Sequence, residues 1–203
     1  MTSRERVTAA LAGVTVDRAP SVSFLPGVAA DAGIDGEFRL THVKNPFGVA
    51  LEQGVRLSDL FDHDPDASDR EVRRAADETR RCIAAAGDVD GIAYTIHGAC
   101  ELWTSPMGYG GWLLETDREL IKSASKPVFA FVVGRDAYLD VLSDLPCAVF
   151  AWDSEASSAD VDEMRRMCRA KIATNRQGAD FILETGGHDV IQLLEAGATT
   201  PAR

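Results

Sequence analysis

Three places along the chain put groups capable of proton transfer or anion recognition directly after a short apolar run. In IHGACELW, His97, Cys100, Glu101 and Trp103 follow residues 92 to 96. A histidine beside a glutamate can form an acid/base pair or clamp a substrate, because imidazole titrates near neutrality. The alternative is a loop histidine that bonds only backbone. In VVGRD, Arg135 and Asp136 follow residues 128 to 133. Arg135 can grip a substrate carboxylate with its fork of donors, or form a surface pair with Asp136 or Asp140. In AWDSE, Asp153 and Glu155 follow residues 148 to 152. Asp153 can carry a proton, and Glu155 can bind substrate; alternatively, Asp136 and Asp153 cap the starts of helices. Cys100 lies close to His97, yet two ligands make no zinc site, which takes three or four.

These groups need elements that carry them to one edge. The runs 128 to 133 and 148 to 152 are too short for helices and too continuously apolar for strands with one wet face, so they read as buried strands. Between them Tyr138, Leu139, Val141, Leu142 and Leu145 form a helical stripe, which makes a βαβ unit with parallel strands. Ligands in parallel α/β folds bind at the carboxyl ends of strands, where all three clusters lie. Residues 91 to 96 form another buried strand. Helices are expected from Thr2 or Ser3 (Val7, Ala10, Leu11, Val14), from Ser68 to Gly87 (Val72, Ala75, Ala76, Thr79, Cys82, Ile83, Ala86), and over 160 to 175 (Val161, Met164, Cys168, Ile172). Residues 21 to 25 and 179 to 184 read as strands. Residues 28 to 65 show no sustained period and read as short helices and loops, with His42 and His63 exposed.

The chain of 203 residues suits one domain, over 1–203, with a substantial core. Its net charge of -11 argues against nucleic acid or anionic membrane as the main partner, because phosphate binding needs clustered Lys and Arg. The four cysteines form no CxxC pair, which suits a reducing cytoplasm. No signal-type apolar segment opens the sequence, and no apolar stretch is long enough to span a bilayer.

The order SRERVTAALAG, VDRAP and a strand, then SPMGY with Ser105, Pro106 and Tyr109, then AWDSE with Trp152 and Asp153, resembles the uroporphyrinogen decarboxylase superfamily, which includes cobalamin-linked methyltransferases. The resemblance implies a (β/α)8 TIM-type barrel with its site at the strands' carboxyl ends. It nominates Tyr109 for substrate binding, Asp59 of LSDLF as a candidate carboxylate, and His188 of the Gly186-Gly187-His188 turn, to which Trp103 is added by its place after the strand at 92 to 96. The departures are equally specific. Phe131-Val132-Val133-Gly134 stands where the methyltransferases carry His-x-Cys-Gly, and Gly187 where they carry a cysteine, so no zinc and no other cofactor is expected. Residues 25 to 30 lack the arginines that hold tetrapyrrole propionates.

Only five strands are evident, at 21 to 25, 91 to 96, 127 to 133, 148 to 152 and 180 to 185. The expected fold is therefore a truncated or degenerate barrel with fewer than eight regular strands, with much of the region between the first strand and the helix at 68 deleted and one unit deleted between Asp153 and Ala179. Its open edge would be covered by a second copy or a partner subunit. The expected function is lyase or decarboxylase-type acid/base chemistry on a carboxylated small molecule, without cofactor, with His97, Asp153 and Glu101 catalytic. Arg135, Trp103, Tyr109, Glu155, His188 and Asp59 would bind the substrate. The alternatives are zinc-independent methyl transfer and a non-catalytic binding or partner subunit.

Overall fold

A computed structural model describes residues 1–23, 32–34, 38–61, 65–175 and 178–184. Helix α1 (Ser3–Leu11) starts in a capping box: Thr2 Oγ1 accepts from Glu5 N, and Glu5 accepts from Thr2 N. Strands β1 (Ser21–Ser23), β2 (Ala32–Ile34), β3 (Phe38–Lys44), β4 (Gly91–Ile96), β5 (Val128–Val132), β6 (Val149–Trp152), β7 (Lys171–Thr174) and β8 (Phe181–Glu184) follow one another around a closed barrel. Seven run parallel, and β2 runs antiparallel to both β1 and β3. Pairing of β1 with β8, Val22 opposite Leu183, closes the ring. The α/β fold is thus a TIM-type barrel made degenerate by one reversed, three-residue strand.

The register assigns each strand position to a face. Thr95, Phe131, Ala151, Ala173 and Phe181 lie level on successive strands, as do Ala93, Phe129 and Val149 one step earlier. Apart from Thr95, these positions share one core cluster with Val22, Phe38, Leu40 and Val7 of α1, which places α1 under the amino end of the lumen. Phe129 meets Phe38 and Phe181 edge to face, with ring centroids 5.9 Å apart in each pair. The alternate positions, Tyr94, Ile96, Val132, Phe150, Trp152 and Ile172, join a second cluster under the surrounding helices. Because strand side chains alternate between faces, a slip of one residue would exchange the two clusters.

Around the barrel stand α2 (Gly48–Glu52), α3 (Leu57–Leu60), α4 (Pro65–Ala84), α5 (Pro106–Tyr109), a π-helical turn (Gly110–Leu114), α6 (Glu115–Ser123), α7 (Leu139–Leu142) and α8 (Val161–Met167). Helix α5, the π turn and α6 run on without a break; the wide turn begins on Gly110 and Gly111. Among the described residues no helix is long and apolar enough to cross a membrane.

Several expectations are corrected. Three strands escape the pattern reading: β2, β3 and β7. In β3, FRLTHVK, the inward positions change from apolar Phe38 and Leu40 to polar His42 and Lys44 on approaching the mouth, which breaks the apolar run. The helix expected over 160 to 175 stops at Met167, because Cys168 turns to extended backbone (ψ 136°) and Ile172 enters β7. No unit is deleted there. The crossover after Asp136 shrinks to the four residues of α7. With β1 and β8 paired, the open edge that was to demand a covering partner is absent among the described strands.

Candidate functional site

At the carboxyl mouth, β3 and β4 end side by side and bring together groups that stand far apart in sequence. Asn45 N continues the ladder beyond β3 by donating to Thr95 O at 2.9 Å. Its side chain then takes over from the backbone: Asn45 Oδ1 accepts from His97 N and Asn45 Nδ2 donates to His97 O, both at 3.0 Å. A side-chain amide can thus stand in for a strand neighbour. On the opposite flank Val133 N donates to Ile96 O at 3.0 Å.

His97 is only 2 % exposed, and neither ring nitrogen has a hydrogen-bond partner among the described residues. Its ring meets Trp103 edge to face at 5.7 Å. Burial pushes the imidazole down to about 4; nearby Glu52 opposes this, while Lys44 and His42 reinforce it. The ring is therefore uncharged at neutral pH and able to accept a proton. His42, expected to be exposed, is half-buried, and its Nε2 hydrogen bonds with Thr95 Oγ1 at 2.6 Å. Burial lowers its pKa too, with Lys44 adding to the effect. Lys44 and Glu52 form a partly buried ion pair.

Behind these groups lies a buried carboxylate that the sequence reading missed. Asp117 of α6 is fully buried and accepts from Tyr94 Oη at 2.6 Å, Tyr109 Oη at 2.5 Å and Asn45 Nδ2 at 3.3 Å. Burial pushes its carboxyl up to about 6, against the three donors that favour the anion. Burial next to that carboxylate raises both tyrosines well above their usual range.

A cavity of about 550 Å³ opens between β3, α2 and α4, with His42, Lys44, Asn45 and Gly48 in its wall. Gly48 permits the close seating of α2. A Cβ there would fall 2.9 Å from Lys44 Cβ, 3.0 Å from Asn45 Oδ1 and 3.3 Å from His97 Cδ2.

The remaining sequence candidates are dispersed. Glu101 is exposed and has no bond to His97, so the two form no pair. Trp103 is buried and donates through Nε1 to Leu51 O at 2.6 Å. Tyr109 is buried with its hydroxyl committed to Asp117. Asp153 Oδ1 accepts from Glu155 N, Ala156 N and Asn175 Nδ2, which is the turn-capping geometry. Glu155 and Asp59 are exposed, and Asp59 Oδ1 accepts from Ser58 Oγ at 3.3 Å. Arg135 is exposed and, among the described residues, has no ion pair; it sits between two residues of positive φ, Gly134 (121°) and Asp136 (48°). His188 lies outside the described residues, as do His63, Gly187 and the loop at 25 to 30. Where the zinc pattern would fall, Phe131 and Val133 are buried. Among the described residues no three of His, Cys, Asp and Glu are grouped to hold a metal ion.

No family model matches the chain, and no curated protein matches it. Among solved structures it is similar to a methyltransferase from Methanosarcina mazei, at 15% sequence identity and a TM-score of 0.46, with 66% of this chain covered. The chain spans 41% of that protein's length.

Proposed function

We propose that the chain is a small-molecule enzyme that transfers protons at the carboxyl mouth of its barrel, with His97 as the acting base. The observation that carries this reading is the His97 ring: buried, uncharged at neutral pH, and with neither nitrogen partnered among the described residues, at a strand's carboxyl end. Buried polar atoms are nearly always hydrogen-bonded, so such a group calls for a ligand to complete it. A carboxylated substrate suits the reading, since Arg135, exposed just after β5, has no ion pair among the described residues and offers a guanidinium. In a decarboxylation, the C–C bond of the ionised substrate breaks, carbon dioxide leaves, and the carbon that keeps the electron pair takes a proton that His97 relays from water, leaving hydroxide. A non-catalytic binding role is the second reading. It is favoured by Asp153, whose oxygen is spent on its turn, and by the exposed, scattered positions of Glu101 and Glu155.

The test is a panel of small carboxylic acids incubated with the chain in deuterium oxide, with C–H exchange and carbon dioxide release followed together. The proposal expects at least one acid to react, and His97→Gln to slow it by about 10²–10⁴-fold, the range for losing a general base. Full rate in His97→Gln, or binding without reaction across the panel, overturns it in favour of the second reading.

A further inference from the structure

We propose that Asn45 and Asp117 are positioning residues for His97, holding the end of β4 so that the imidazole keeps its place beside α2 and Trp103. This deepens the role proposed for His97 and rests on it. On its β3 side, His97 is held by the Asn45 side chain, which binds both its N–H and its C=O at 3.0 Å. The same Nδ2 that grips His97 O also donates to Asp117 Oδ2, so the orientation of the amide is set by the carboxylate. Asp117 is fixed in turn by Tyr94, three residues before His97 on β4, and by Tyr109, which enters from the start of the π-interrupted helix. A fully buried carboxylate weakens a core that an apolar side chain would fill as well, since desolvation of the charge offsets its hydrogen bonds. Its arrangement makes sense as a device that orients Asn45. The charged and titratable groups facing the ring are Lys44 and His42 of β3 and Glu52 of α2.

The test reads the His97 imidazole titration by nitrogen-15 NMR, with the signal assigned by its loss in His97→Gln. In Asn45→Ala the strand end loosens, water reaches the ring, and the midpoint is expected to rise from about 4 by a pH unit or more. Asp117→Asn, which keeps the shape but loses the anion that orients Nδ2, is expected to move the midpoint in the same direction, by less. Leu142→Ala, a cavity in α7 away from the network, is the control: it lowers thermal stability and leaves the midpoint in place. A midpoint unmoved in Asn45→Ala and Asp117→Asn, or moved as far in Leu142→Ala, overturns the proposal. Should neither network variant fold, amide exchange in the unmodified chain decides. The His97 N–H is expected to be protected like a core strand amide, and exchange at a free-loop rate overturns the proposal. No substrate enters these measurements, so their failure is distinct from a failure of the proton-transfer reading.

Discussion

Replacing His97 by Gln keeps an uncharged polar side chain of similar bulk and removes one titration, so its effect on stability should depend on pH. Burial holds the imidazole at about 4 against an ordinary 6.5. Because the folded value is the lower one, its contribution to stability is present above pH 6.5 and is lost as pH falls through about 4. At about 1.36 kcal/mol per pH unit this amounts to roughly 3 kcal/mol. Asp117 has the opposite sign. Its carboxyl rises from 3.8 to about 6, so its contribution is present below 3.8 and is lost as pH rises through about 6. By the same conversion it too amounts to roughly 3 kcal/mol. In the unmodified chain the two nearly cancel over this window. His97→Gln leaves Asp117 unopposed, so on acidification from about pH 6.5 to about pH 4 the variant should gain roughly 3 kcal/mol of unfolding free energy relative to the unmodified chain. Urea titrations followed by tryptophan fluorescence at a series of pH values measure this difference. A difference that stays constant across the window would refute both the burial of an uncharged His97 and the reasoning built on it.

Gly48→Ala drives a methyl group to within 3.3 Å of three neighbours, including His97. Overpacking of this kind costs about 1–3 kcal/mol, to be seen in urea midpoints, and it should also disturb the His97 titration. Gly134→Ala combines a φ of 121° with a contact of 2.6 Å to Cys100 Sγ. Its loss should exceed about 2 kcal/mol, with only the contact part recovered when Cys100→Ala is added. Arg135→Ala should change stability by less than about 0.5 kcal/mol, as expected for an exposed side chain, while raising KM for any carboxylate the chain turns over.

The parts of the barrel legible in the sequence are those whose strands face apolar surroundings on both sides. VFAFV of β5 and VFAW of β6 are buried at every position, so composition alone marks them. Strand β3 fails that test because its inward residues at the mouth are the polar His42 and Lys44. The chemistry obscured the strand. His97 was found because it directly follows an apolar run. Asp117 could not be found that way: in ETDRELIKS it reads as one more charge on a solvated helix face, and its burial depends on Tyr94 and Asn45, which lie far off in sequence. Glu101 misled for the converse reason. Closeness to His97 in sequence suggested a pair, yet the backbone turns after Ala99 bury Cys100 and leave Glu101 in solvent.

A small molecule is expected to complete the His97 ring, which is unpartnered among the described residues, at the barrel mouth. The most direct measurement is a crystal structure of the chain soaked with an acid that reacts in deuterium oxide. An atom of that acid is expected within about 3.2 Å of a His97 ring nitrogen, the reach needed for proton transfer. Density for the acid seated elsewhere, with the His97 ring still beside Trp103 and α2, would contradict this expectation.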